Sequence, residues 1–179
     1  MNALLACARG IDWLTDRLAA VAKAAVLLSC LISAGNALVR YAFNTSSNGW
    51  LEIQWYLFAA CVMLGAAQVL RVNEHVRVDV FYGRLGSRTK VWVDLFGLSC
   101  FLLPAMAVML YFAWPVFMRT LLSHEVSESA GGLVRWPAML MLPLGFALVL
   151  AQGLAEIVKR IGWLLHRHEM DTHYERPLQ

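Results

Sequence analysis

A chain of 179 residues that is 60% hydrophobic and 15% charged, with a mean hydropathy of +0.59, departs from the globular norm of about 45–50% apolar and 25% charged residues. Its 15 Lys+Arg and 12 Asp+Glu are too few to cover a water-soluble domain of this size, so the bilayer is its expected solvent. The net charge of +3 is spread between apolar blocks and gathers in no basic patch, which gives no support to nucleic-acid binding.

In the first eighteen residues Leu4, Ala8, Ile11, Leu14 and Leu18 recur at helical spacing, while Arg9, Asp12, Asp16 and Arg17 fill other faces. This pattern predicts an amphipathic helix lying in the headgroup layer, with a frayed polar lead-in as the alternative. The acidic residues precede the first long apolar block and no small-residue cleavage site follows a short apolar core, so the segment does not read as a cleavable signal peptide.

A hydrocarbon core of about 30 Å takes about 20 mainly apolar helical residues. Four blocks meet that requirement: Ala24 to Phe43, Trp50 to Leu70, Trp92 to Phe117, and Trp136 to Val158. Asn44 to Gly49 is short and polar enough only for a tight hairpin. In the charged stretch Arg71 to Val91, Val76, Val80, Phe81 and Leu85 alternate with Arg77, Asp79, Arg84 and Arg88, a possible short horizontal helix that Gly83 and Gly86 weaken. Met118 to Arg135 is a further connection, and residues 161–179 form a polar tail. The expected fold is an all-α bundle of four transmembrane helices in a single membrane domain.

Positive residues set the orientation. Arg9, Arg17 and Lys23, then Arg71, Arg77, Arg84, Arg88 and Lys90, then Lys159, Arg160, Arg167 and Arg176 fall on one side, against Arg119 and Arg135 on the other. Both termini are therefore expected in the cytoplasm, as an even number of spans requires.

Few chemistries fit these residues. Gly83 to Lys90 lacks the spacing and the Lys-Ser/Thr pair of a phosphate-cradling loop, so ATP hydrolysis is not expected. His75, His124, His166, His168 and His173 lie outside the spans, which removes the axial ligands of a haem subunit. The tail cluster of His166, His168 and His173 has no Cys partners and reads as solvated rather than metal-binding. Cys30, Cys61 and Cys100 fall in apolar blocks and Cys7 near the N-terminus, as packing residues. No nucleophile, base or metal constellation appears, so neither an enzyme nor a cofactor is expected.

Ionisable groups within spans are functional candidates by default. Arg40 lies near the end of the first span and Glu52 in the first turn of the second. Asn36 stands one turn before Arg40 on the same face, so Asn36, Arg40 and Glu52 could form one cluster across the hairpin. The alternative is that Arg40 snorkels to lipid phosphates while Glu52 faces water separately. Gln54, Gln68 and Gln152 read as hydrogen-bonding glue between helices. No carboxylate sits at mid-span, which argues against a proton-coupled exporter. Ser29/Ser33, Cys61/Gly65 and Ala147/Ala151 permit close helix approach, Pro104 and Pro143 should bend spans three and four, and Trp50, Trp55, Trp92, Trp114 and Trp136 mark span ends.

The ordered pattern resembles a known family, the small membrane subunit (DctQ-like) of tripartite ATP-independent periplasmic (TRAP) transporters. The resemblance runs over Asn36-x-x-x-Arg40-Tyr41, Trp50-x-Glu52, Glu74-His75-Val76-Arg77-Val78-Asp79, Trp136-Pro137 and Pro143-Leu144-Gly145-Phe146, from about residue 15 to 160. Many members carry two adjacent acids after the Trp, whereas Glu52 here is followed by Ile53. The resemblance implies a bacterial inner-membrane scaffold that transports nothing alone. Its partners would be a large polytopic permease carrying the ion and substrate sites, a periplasmic binding protein delivering an organic anion, and membrane lipids. Arg40 and Glu52 would tie the first two helices together, with Asn36 and Trp50 beside them. His75, Arg77 and Asp79 would order the cytoplasmic connection, with Arg77 and Arg84 near lipid phosphates. An anchor subunit for another membrane complex and a self-assembling small transporter are the alternatives.

Overall fold

The computed structural model describes residues 1–73 and 85–166, almost all in four long helices: α1 (Asn2–Phe43), α2 (Asn48–Val72), α3 (Ser87–Leu122) and α4 (Trp136–Leu164). Each is long and apolar enough to cross a membrane. The chain is an all-α, membrane-spanning protein. The proposed horizontal helix falls mainly on residues 74–84, and most of the polar tail on 167–179; both lie outside the described residues.

The turn between α1 and α2 follows from Asn44, whose φ of 52° places it in the left-handed region that ends helices, with its N–H donating to the Arg40 carbonyl at 3.0 Å. Ser47 is extended and leads into α2. The two helices therefore run antiparallel from the hairpin end of the molecule towards the terminal end, where α1 begins and α4 finishes.

The amphipathic stretch of α1 is helical but is no separate interfacial element. It continues without a break into the first span, and the whole helix of 42 residues extends about 63 Å at 1.5 Å per residue. Its inward stripe is Leu5, Ala8, Thr15, Ala19, Ala22 and Ala25, whereas Leu4 and Leu14, expected on the apolar side, are 55% and 43% exposed. Beyond Leu5, small and polar residues make up the buried stripe. The alanines admit neighbouring helices closely, and Thr15 finds a polar partner on α4.

At the centre Ala22 of α1, Leu64 and Ala67 of α2, and Leu148 of α4 form the core, with Leu18, Ala60, Met141 and Val149 packed around them. Helix α4 lies against α1, α2 and α3, and α3 packs on α4. Two glycines admit these contacts. A Cβ on Gly145 would stand 2.7 Å from Met63 Cβ on α2, and one on Gly153 would stand 2.8 Å from a Leu102 methyl on α3.

Helix α3 carries a π-helical turn at Leu98–Leu102, where the Leu103 N–H donates to the Leu98 carbonyl. Pro104 follows directly and has no N–H to offer Cys100, so a widened turn accommodates a missing donor. The irregularity expected at Pro104 is thus a bulge just before it. Pro115 and Pro143 also lie within α3 and α4.

Gly145→Leu should destabilise the chain by about 1–3 kcal/mol, since the new side chain meets the Met63 backbone as well as its flexible end. Gly10→Ala, where a Cβ meets nothing within 4 Å, should be neutral or stabilising. Unfolding both variants in mixed micelles checks the contrast.

Candidate functional site

Polar side chains gather in two layers, one at each end of the helices. At the hairpin end, Asn48, Glu52 and Tyr56 recur at every fourth residue and so share one face of α2. All three reach the connection between α3 and α4. Asn48 Nδ2 donates to the Ala130 carbonyl at 3.3 Å, and the Tyr56 hydroxyl donates to the Val134 carbonyl at 3.1 Å. Between them Glu52, only 3% exposed, accepts from the Ser127 hydroxyl and, at 2.8 Å, from the Leu133 N–H.

The connection is shaped to receive that carboxylate. Val126 and Val134 form an antiparallel bridge, the Ser127 N–H donates to the Leu133 carbonyl at 2.9 Å, and the Arg135 N–H donates to the Glu125 carbonyl at 3.0 Å. Arg135 also forms an ion pair with Glu125. At its tip Gly131 has φ +73°, and a Cβ on Gly132 would lie 2.6 Å from Ser127 Cβ, so the turn needs glycine twice over.

At the terminal end a larger network joins all four helices. Gln152 of α4, with no exposed surface, accepts from Thr15 Oγ1 at 2.8 Å and donates through Nε2 to Asp12 at 2.8 Å and Glu156 at 3.2 Å. Lys159 donates to Asp12 at 3.1 Å and pairs with Glu156. Arg160 donates to Glu156 at 2.5 Å and, through Nη2, to Asp94 of α3 at 3.2 Å. Arg71 of α2 lies 3.6 Å from Asp12 and pairs with Asp16. The side chains of Glu156 and Arg160 are 6% and 7% exposed. In such low-dielectric surroundings a pair is worth keeping only when each charge is also hydrogen-bonded, as these are.

The expected cluster of Asn36, Arg40 and Glu52 takes another form. Asn36 and Trp50 line one groove of about 260 Å³ with Thr45, Ser46 and Ser47, while Arg40 is exposed and the Glu52 carboxylate turns to the α3–α4 connection. A short hairpin brings the two helix ends near each other, but the rotation of α2 decides what Glu52 meets. His75, Arg77, Asp79 and Arg84 lie outside the described residues. Gln152 does link helices as expected, whereas Gln54 Nε2 and Gln68 Oε1 are buried with no partner among the described residues.

Sequence reasoning misses the terminal network. Its signal is present in the spacing of Asp12 with Asp16, and of Gln152 with Glu156 and Arg160, which places polar groups four apart on one face inside otherwise apolar helices.

Residues 29–162 match the family model described as "Tripartite ATP-independent periplasmic transporters, DctQ component". The chain belongs to the DctQ family. No curated protein and no solved structure matches it significantly. A DctQ chain is the small subunit of a TRAP transporter, a transport component rather than a member of an enzyme family, and it works with a large permease subunit and a periplasmic binding protein. The matched region contains the whole hairpin-end clasp and the α2, α3 and α4 members of the terminal network, but begins after Asp12, Thr15 and Asp16.

Two outcomes follow for this DctQ chain. Glu156→Ala leaves Lys159 and Arg160 without their shared carboxylate and should cost about 3–5 kcal/mol in micelle unfolding, the range for breaking a buried pair. Glu52→Ala should free the α3–α4 connection, raising amide hydrogen exchange at Ser127 and Leu133 by about tenfold for each 1.4 kcal/mol lost, while amides near Gln152 keep their protection.

Proposed function

We propose that this chain is a static support for the large permease in ion-coupled, ATP-independent uptake of an organic anion, which the periplasmic binding protein delivers. The observation that carries this reading is the placement of the carboxylates. Asp12, Asp16, Asp94 and Glu156 are engaged in the terminal layer and Glu52 in the hairpin layer, so the described acidic groups of the helices serve to hold the helices together. A subunit that bound a cation and an anion in mid-membrane would keep polar groups there for them.

The chain sits in the bacterial inner membrane with both termini in the cytoplasm. The excess of Lys and Arg at the terminal end supports that orientation. The hairpin end then faces the periplasm, and the α3–α4 connection held by Glu52 belongs to the surface that meets the loaded binding protein. Arg40, exposed beside the hairpin, lies on the same surface.

A mild-detergent pull-down of tagged chain from native membranes tests the assembly. A large polytopic permease in comparable amount is the expected companion. A homo-oligomer alone, or a copurified redox enzyme, would overturn the reading in favour of a small transporter or of an anchor subunit. In cells dependent on the transported anion, Arg40→Ala should lower uptake or complex yield; normal values of both would remove Arg40 from that surface.

A further inference from the structure

The outer faces of α3 and α4 enclose a groove of about 520 Å³ near the hairpin end, lined entirely by apolar surface from residues that include Tyr111, Trp114 and Pro115 of α3 and Pro143, Leu144 and Ala147 of α4. Its two prolines, Pro115 inside α3 and Pro143 inside α4, each lack a backbone donor. Tyr111, Trp114 and Pro115 are exposed, so the α3 wall of the groove is not covered by the rest of the chain.

A charge stands one helical turn beyond the groove's lining residues. Arg119 follows Pro115 by four residues and so continues the same face of α3 one turn closer to the hairpin end. It lies in the last turn of the helix, is exposed, and has no side-chain partner among the described residues. Arg135, the other described cation of this connection, is already paired with Glu125. Trp136 stands at the start of α4, at the depth where aromatic residues mark the membrane–water boundary. An apolar slot within the span that ends in an unpaired guanidinium at the boundary matches a molecule with a hydrocarbon chain at one end and a phosphate at the other. The guanidinium fork offers two parallel N–H donors to phosphate oxygens.

We propose that the α3–α4 groove is a binding site for one phospholipid of the leaflet at the hairpin end, with an acyl chain along Tyr111, Trp114 and Leu144 and the phosphate on Arg119. The site is independent of the transport reading, since it follows from the span and groove alone. Its effect is to fill the slot between the outer halves of α3 and α4 and so hold α3 in place.

Trp114 provides the test. The full-length chain in micelles is titrated with a phospholipid carrying bromine atoms at mid-chain, which quench tryptophan fluorescence on contact, and the Trp114 contribution is obtained by difference from Trp114→Phe. The expected result is saturable quenching of Trp114 at lipid levels that leave the other tryptophans little affected. Arg119→Ala should raise the half-saturating lipid concentration about tenfold, the loss of one charge-assisted contact, while Arg119→Lys should keep most of the affinity. Ala147→Phe, which fills the slot, should remove the saturable phase, and the Arg119 pair keeps the test valid if that variant misfolds. Quenching of Trp114 no earlier than of other tryptophans, equal quenching by a phosphate-free brominated detergent, or an unchanged midpoint in Arg119→Ala would each overturn the site. Saturable quenching that disappears when the permease is bound would assign the groove to that partner instead.

Discussion

Hydrocarbon offers no hydrogen bonds, so a polar group carried into a span is costly unless it finds a partner within the protein. Gln152 shows how the architecture answers that constraint. Its one amide satisfies Thr15 and Asp12 on α1 and Glu156 on its own helix, and through Glu156 and Arg160 the chain of contacts reaches Asp94 on α3. Arg71 brings in α2 through the same Asp12. The relative rotation of four apolar helices, which dispersion alone specifies weakly in lipid, is thereby fixed at one end by directional bonds. The clasp on Glu52 does the same at the other end with a backbone amide and a hydroxyl.

The two layers work by different chemistry. The terminal one pairs opposite charges, so its strength depends on every member remaining in place; removing one leaves another buried and alone. The hairpin one pairs a single carboxylate with neutral donors from a glycine-dependent turn. It fixes a loop as well as the turn of α2, and it does so from a stripe that reads Asn48, Glu52, Tyr56. Between the layers, small residues decide how near the helices come, as Gly145 does against Met63 and Gly153 against Leu102.

The four spans, the hairpin at Asn44 and the family were legible in the sequence because each rests on local information: run length, a short polar connection, and ordered motifs. The partners of the charged groups were not. Asp12 and Lys159 are 147 residues apart, and nothing local says that they meet, although the four-residue spacing of polar groups in α1 and α4 marked both faces. Glu52 shows the converse hazard. Arg40 was its nearest cation back along the chain, but closeness in sequence says nothing about which way a helix is turned. Apolar periodicity misled in α1 for a related reason: in lipid a leucine gains little by facing inward, so Ala19, Ala22 and Thr15 hold the inner face while Leu14 looks out.

The dependence of α3 on α4 also orders events in time. During synthesis α1 and α2 emerge first and can close on each other through Ala22, Leu64 and Ala67, with Arg71 meeting Asp12 and Asp16. Helix α3 then enters the bilayer before the helix against which it packs has been made, and before Arg160 exists to meet Asp94. Only when α4 follows does α3 acquire a wall for its widened turn and that guanidinium for its carboxylate. The last span therefore completes two contacts at once, and a chain arrested before it would leave a paired hairpin beside a helix that lacks both.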